Sequence, residues 1–411
     1  MRVSMDVFAD ELYSAVLWFR QLCGEDIARR IQQFEIEAQE NSLLGQYNRE
    51  TFKLEYAIGQ IFSISEQGGS FPLTPELSEA YNFIVGFNRV YQNLTDVGKQ
   101  RILQNLRTSF THPYGLRPFA FEFMTAIHFL QKGWDVTFVD IEDQGRFDLL
   151  VEHQGERFEI ECKSISNDAG RLIARRDVCR MGGRLKSIIH AVENKSSRVL
   201  TVRITRRLDE LTEVDLQALT QAAQSALDSG IGATSTAFLL SVEMKPGLII
   251  PPERRTEEAT SQFVREQIGA IGRHILINAN RRTGEVMAIV LESEASDDVL
   301  GKIFQRAKTA ANQCSHQLPS LIAIQIADMS KSSLEGLLNT AGSGVHRIAH
   351  GLFEGPPRRP HVNGIAFSAL PVSEEFTTPG PNISNVSANV LLLKNPNPRF
   401  VCAAISQGLF F

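Results

Sequence analysis

Hydrophobic positions change their period several times along the chain, and each change predicts an element. Residues 117 to 131, RPFAFEFMTAIHFLQ, place Phe119, Glu122, Phe123, Ala126, Ile127 and Leu130 on one stripe at helical spacing. Pro118 falls in the first turn and Gly133 just past the end, so a helix is expected there. A strand is predicted at Trp134 to Ile141. Beyond it, RFDLLVEHQGERFEIECK at 146 to 163 alternates with period two: Phe147, Leu149 and Val151 share one side of a first strand, Phe158, Ile160 and Cys162 one side of a second. Gln154-Gly155 supplies a two-residue turn, which makes opposed residues sum to 309. Asp148 then faces Glu161, and Glu152 faces Arg157. Helical spacing returns over about 171 to 194 (Ala174, Val178, Met181, Leu185, Ile188, Val192), followed by a strand at Arg198 to Thr205. The expected order is helix, three strands, helix, strand.

Three consecutive regions follow from the remaining pattern. Residues 1 to 110 read as mainly helical, broken by the turn-rich EQGGSFPLTP at 66 to 75, with aromatic residues expected in a core rather than on a base-stacking platform. Residues 111 to 245 hold the helix-and-strand core and an extension: a helix near 215 to 229 and a strand at Thr236 to Glu243. Residues 246 to 411 read as α+β, with a hairpin around Arg282-Thr283-Gly284 and a helix from Asp297 to Gln317. Strands are expected there at Leu321 to Ile326, Val362 to Ala369 and Asn389 to Leu393. This last region is expected to serve recognition or dimerisation, or to extend the sheet. Its GPPRRP at 355 to 360 and TPGPN at 378 to 382 read as surface connections, where Arg358 and Arg359 could touch a nucleic-acid backbone, a solvated loop being the stronger reading.

Composition narrows the class. With 411 residues and 43% hydrophobic content, the chain can bury a large core in two or three domains. A net charge of -5 argues against a general nucleic-acid binder of the histone type. Cys23, Cys162, Cys179, Cys314 and Cys402 are widely spaced without a CxxC pair, so neither a zinc knuckle nor a disulfide scaffold is indicated. Cys314 and His316 could bind a metal, but two ligands alone read better as a helix end. The opening MRVSMDVFADELYSAVLWFRQ carries acidic residues inside its apolar run, unlike a signal peptide, and no stretch reaches the roughly 20 apolar residues a bilayer demands. A cytoplasmic protein without a P-loop is expected.

Chemistry concentrates in the ribbon. Two carboxylates directly opposed across strands repel, so a cation should compensate. Asp148 and Glu161, joined by the Cys162 main-chain carbonyl, offer hard oxygens suited to Mg²⁺, with Mn²⁺ as a substitute. Lys163 shares their side and would orient or help deprotonate an attacking water. The alternative is an exposed ribbon with scattered charges. Glu122 on an apolar stripe is costly to bury unless paired or metal-bound, its alternatives being the helix edge or an Arg partner.

With these residues in hand, the chain resembles the PD-(D/E)XK nuclease superfamily over residues 111 to 206. The likeness rests on Glu122, Asp148 and Glu161-Cys162-Lys163, and the ECKS tetrad is most similar to the Mrr-type restriction branch. Phe147 stands where the signature has Pro, which contributes no ligand. The resemblance implies an α/β restriction-endonuclease-like core with a mixed sheet flanked by helices. It further implies Mg²⁺-dependent hydrolysis of nucleic acid, DNA rather than RNA, in a restriction-like or phage-defence role. Asp148 and Glu161 would be the metal ligands and Glu122 an auxiliary carboxylate. The alternative is a catalytically silent nuclease fold that binds nucleic acid or assembles a defence complex.

Beyond the ribbon, Arg176, Arg180 and Arg184 line one face of the next predicted helix, with Arg171 and Arg175 before them. Like charges at this spacing repel unless anions sit nearby, which suggests phosphate contacts; a solvated outer face is the other reading. If both strands of a duplex are cut together, a homodimer matching the duplex two-fold is expected.

Overall fold

The computed structural model describes residues 9–411 except 70, 73, 167, 192–195, 206–211, 236, 270–273, 295–296, 328–343, 370–388 and 408–411. TPGPN at 378 to 382, Val192 and Thr236 therefore lie outside the described residues. The protein is mixed α/β, with two mixed sheets flanked by helices. It divides into two compact units. One comprises Met1–Phe34, Asn48–Ala169 and Val299–Phe411, the other Glu35–Tyr47 and Gly170–Asp298. These cut across the three consecutive regions read from the pattern, because a whole unit is inserted into the middle of another.

The first unit begins with helices α1 (Ala9–Glu40), α2 (Ser42–Thr51), α3 (Lys53–Glu66), α4 (Pro75–Asn93), α5 (Asp96–Thr111) and α6 (Arg117–Gln131), the residues joining α1 to α2 counting with the second unit. Phe19, Phe83, Phe87, Phe119 and Phe123 meet in a largely edge-to-face cluster, with Phe19 and Phe83 centred 5.9 Å apart at 88°. Such pairs add to the burial of large apolar area and set the angles at which helices cross. Most N-terminal aromatics thus act as core, Phe19, Tyr47, Phe52 and Phe62 being buried, whereas Tyr13 is exposed.

Strands β1 (Asp135–Phe138), β2 (Leu149–His153) and β3 (Glu156–Ile165) form an antiparallel meander. Helix α10 (Val299–Gln313) then leads to β9 (Ser320–Ile326), which lies parallel to β3; β10 (Val362–Ala369) continues in parallel and β11 (Asn389–Lys394) closes the sheet antiparallel. The order is β1-β2-β3-β9-β10-β11. Two apolar layers clad it: α6 covers Leu149, Ile160, Cys162 and Leu321, whereas α10 covers Ile322, Ile324, Ile326 and Ile365.

The second unit contains α7 (Arg175–Ala191), β4 (Arg198–Ile204), α8 (Glu213–Ser229), β5 (Ala233–Thr234), β6 (Phe238–Met244), α9 (Glu257–Gln267), β7 (His274–Ala279) and β8 (Val286–Ser293). Its sheet runs β5-β6-β4-β8-β7, with only β4 and β8 parallel. This corrects one expectation. The strand at Arg198–Ile204 belongs to this second sheet, and the strand beside β3 is Ser320–Ile326. Both runs have strand patterns, Arg198–Ile204 half-buried and Ser320–Ile326 buried throughout, and a strand pattern does not name the sheet that receives it.

Candidate active site

The turn predicted between the ribbon strands is present. Gln154 and Gly155 both adopt positive φ, 49° and 85°, the pairing that a type I′ hairpin uses. Leu149 pairs with Ile160 and Glu152 with Arg157, so the register sums to 309 as expected. Asp148 sits one residue before β2, at the level of Glu161. The two are cross-linked: the Asp148 Oδ2 accepts the Cys162 N–H at 2.6 Å, and the Glu161 Oε2 accepts the Asp148 N–H at 3.3 Å. Lys163 Nζ donates to Glu161 Oε1. Glu161 is fully buried, and 19% of the Lys163 side chain is exposed.

Helix α6 brings Glu122 to this group. Its N-terminus is fixed by an internal carboxylate, since Glu55 Oε1 accepts the Leu116 N–H at 2.7 Å; Pro118 follows in the first turn. At its other end Gly133, φ 81°, and the Trp134 N–H bonded to the Phe129 carbonyl at 3.0 Å complete a left-handed cap. Carboxylate oxygens of Glu122, Asp140 and Asp148 lie within 4.8 Å of one another, close enough to share a cation. Asp140 was not singled out by the sequence. It lies in the turn after β1, beside Asp148 because the Val139 N–H donates to the Asp148 carbonyl at 2.9 Å. Arg101 of α5 pins this turn, donating to the Asp140 carbonyl at 2.8 Å and pairing with Asp143 at 2.8 Å. A backbone contact between neighbouring strands carries no composition signal, which is why the sequence gives Asp140 no mark.

Burial and mutual repulsion dominate the electrostatics of this group. Burial, with repulsion from Asp148, Asp140 and Glu161, drives the Glu122 carboxyl well above the usual carboxylate range. Burial raises Asp148 to about 6, against the pull of Lys163 and the Cys162 N–H. Burial and then Asp148 raise Glu161 to about 8 despite Lys163. Burial also raises Asp140, opposed by backbone N–H groups and Arg101. Lys163 is the counterweight: burial disfavours its ammonium, but Glu161 and Asp148 outweigh that and raise its pKa. Asp140 Oδ1 is buried with no hydrogen-bond partner among the described residues. A buried unpartnered carboxylate oxygen facing two more carboxylates fits a hard divalent cation such as Mg²⁺ or Mn²⁺, which prefers oxygen ligands; zinc would favour nitrogen and sulfur.

Asp148, Glu161, Lys163 and Glu122 are thus brought together, with the division of labour shifted. The three-oxygen group uses Asp140, whereas Glu161 stands beside it and holds Lys163. Cys162 contributes its N–H to Asp148, and its side chain belongs to the apolar layer under α6. The arginines of α7 belong to the second unit and find acids there. Arg184 makes a two-pronged pair with Glu213 at 2.6 and 2.7 Å, Arg180 meets Asp177 at 3.4 Å, Arg176 meets Glu37 at 3.8 Å and Arg171 meets Asp297 at 3.7 Å. Arg175 lies over the Tyr47 ring at 5.9 Å. The anions that relieve the arginine face therefore include the protein's own carboxylates. Among the described residues no helix is long and apolar enough to cross a membrane. Comparison with protein-family models, curated proteins and solved structures finds no match to this chain.

Proposed function

We propose that the first unit is a divalent-metal-dependent nuclease that hydrolyses phosphodiester bonds, built on a restriction-endonuclease-like core, with DNA as its substrate in a restriction-like or phage-defence role. The observation that carries this reading is the convergence of Glu122, Asp140 and Asp148 oxygens within 4.8 Å, across the hairpin from Glu161 and its Lys163 partner. Nucleic-acid backbones present an anionic phosphate, and an all-carboxylate site can approach one only through cations. Glu122, Asp140 and Asp148 would hold Mg²⁺ or Mn²⁺, which supplies Lewis-acid polarisation and a more acidic water.

The chain's own groups do the rest. Lys163, kept charged by Glu161 and Asp148, acts as a proton donor and point charge toward the phosphate oxygens rather than as a base. Glu161 positions it: held fully buried by its bond from the Asp148 N–H, it fixes the direction of the Lys163 ammonium. Cys162 orients Asp148 through its N–H. Incubating the full chain with circular DNA, linear DNA and structured RNA, each with Mg²⁺, Mn²⁺ or EDTA, tests the proposal. Metal-dependent cleavage of DNA that Asp148→Ala abolishes is expected. No cleavage of any substrate with either metal would favour the silent-fold reading.

A further inference from the structure

At the start of β10, away from the carboxylates, the first unit buries a cation for which the described residues provide no counter-ion. Arg359 is only 4% exposed, in a loop whose composition reads as solvated. One guanidinium nitrogen donates to the Pro357 carbonyl at 3.1 Å, while its Nε is buried with no hydrogen-bond partner among the described residues. Burial lowers its pKa, and no ion pair of the described residues offsets that. Two residues on, His361 is 3% exposed and its Nε2 lies 2.9 Å from the Ala311 carbonyl at the end of α10. His316 stacks on it, ring centroids 3.8 Å apart at 15°, in a left-handed backbone conformation with φ 64°. Arg399 is drawn alongside by its N–H, which donates to the Pro360 carbonyl at 2.6 Å.

Two arginines and two histidines are therefore gathered in one part of the fold, with the Arg399 guanidinium over the Phe400 ring at 5.1 Å. Burial first, then His316, Arg359 and Arg399, hold His361 below the usual imidazole range, against the Ala311 carbonyl. Glu159, the carboxylate paired across the ladder with Ser320, is occupied elsewhere: it accepts the Ser315 N–H at 2.8 Å, the Ser315 hydroxyl, and the Ser320 hydroxyl at 3.4 Å. A buried guanidinium without an acid is costly, and a bound anion would offset that cost. A planar guanidinium with an unpartnered N–H, beside the exposed His316 ring, matches the oxygens of a phosphate group.

We infer that Arg359, His361, His316 and Arg399 form a phosphate-binding site, and that its ligand is a backbone phosphodiester of the nucleic acid on which the carboxylate site acts. The site itself stands on its geometry; the identity of the ligand rests on the nuclease reading. Ser320, whose N–H donates to the His361 carbonyl at 2.9 Å, pairs with Glu159 two residues before Glu161, so one strand ladder joins the two sites. Adjacent strands lie about 4.8 Å apart and residues rise about 3.3 Å along each. The separation across β3, β9 and β10 is thus a span of a few nucleotides.

The test uses the metal-free full chain. Inorganic phosphate is titrated at constant ionic strength, chloride making up the balance, and the melting temperature is read. A saturable rise with phosphate and none with chloride is expected. Arg399→Gln and His316→Gln, both at exposed positions, should keep the ligand-free melting temperature and weaken phosphate, about tenfold for the arginine, as loss of one charge-assisted hydrogen bond implies. Asp148→Asn should keep the wild-type phosphate response. A single-stranded oligonucleotide without terminal phosphates should compete with phosphate in EDTA. No saturable response, equal affinity in all variants, or loss of the response in Asp148→Asn would overturn the site. An oligonucleotide that does not compete would overturn the backbone assignment. None of these readings needs cleavage, so a chain that binds phosphate but cuts nothing would defeat the nuclease reading and leave this site standing.

Discussion

The two units share an architecture and differ in what they bury. Each has a mixed sheet whose central strands are almost wholly aliphatic, Leu321 to Ile326 in one and Met287 to Leu291 in the other. Yet the charged groups buried among the described residues, Glu55, Asp148, Glu159, Glu161, Arg359 and His361, all lie in the first unit, and the second buries one polar side chain, Ser197. Ser197 is fully used, donating to the Leu248 carbonyl at 2.5 Å and accepting the Val286 N–H at 2.9 Å. Charge in the second unit stays at the surface as ion pairs such as Arg184–Glu213, which are worth little. Burying an ionisable group costs several kcal/mol unless something compensates, so the first unit carries a destabilisation that its fold does not require. On the proposed reading that cost serves chemistry in the first unit, whereas the second unit carries no such cost among its described residues.

The sharpest way to break this contrast is to remove the buried charges and measure cleavage. Asp148→Ala, Glu161→Ala and Lys163→Ala should each lower the rate by about two decades or more, and Asp140→Asn should fall in the same range. Arg180→Ala and Arg184→Ala, whose partners are acids of their own unit, should leave the chemical step within about threefold and give a salt slope changed by less than one unit per residue. A folded Glu161→Ala chain cutting at the wild-type rate would end the assignment. A uniform, salt-sensitive loss of binding in the arginine variants would move the second unit from scaffold to phosphate clamp.

Legibility followed the range of the interactions. The ribbon register was readable because a two-residue turn and a period-two pattern fix it within eighteen residues, and Asp148, Glu161 and Lys163 came with it. Glu122 was readable because a carboxylate on an apolar helical stripe is out of place. Asp140 was not, since it depends on a Val139–Asp148 backbone bond and on Arg101 from another helix. The partner strand of β3 was misassigned because 129 residues, Gly170–Asp298, intervene and form a unit of their own. Arg359 was read as solvated because a Pro-rich string marks a turn without saying which side chain the turn folds inward.

Metal binding should reveal the same asymmetry in stability. Mg²⁺ or Mn²⁺ should raise the melting temperature in a saturable way, equivalent to about 2.7 kcal/mol at a hundred times the dissociation constant. Asp140→Asn and Asp148→Asn should weaken that response and, in EDTA, melt no lower than wild type because each removes one like charge from the cluster. Identical metal responses in wild type and Asp140→Asn would show that the cation, if bound, ignores the three-oxygen group.

Glu55 offers a test clear of the metal ligands. Burial raises its pKa above the unfolded value, opposed by the Leu116 N–H, its own N–H, Arg30 and Arg117. The folded state therefore holds the proton more tightly than the unfolded chain does. Its contribution is fully favourable below the unfolded carboxylate range and is lost as pH rises through the folded pKa. Glu55→Gln keeps an oxygen for the Leu116 N–H and cannot ionise, so it should stabilise the chain on the order of 1 kcal/mol at alkaline pH and hardly at all in acid. Melting curves across the pH range decide this, and a variant less stable at every pH would mean that the ionised carboxylate is itself the preferred partner of the helix terminus.

The smallest expected effect concerns the ribbon that carries the site. Gly155, at φ 85°, has open space where a Cβ would stand, so its requirement is conformational alone. Gln154 occupies the same left-handed region at φ 49° with a side chain that does not favour it. Asn tolerates that region far better and heads the preferred type I′ pair, so Gln154→Asn should stabilise the first unit by about 0.5 kcal/mol and leave cleavage unchanged. The second unit's hairpin gives the control: at Gly284, φ 83°, a Cβ would lie 2.5 Å from the Ile250 carbonyl oxygen, so Gly284→Ala should destabilise by more than Gly155→Ala. Denaturant melts of the three variants measure both. A Gln154→Asn protein less stable than wild type, or Gly155→Ala costing as much as Gly284→Ala, would show that the turn is held by contacts beyond its own backbone.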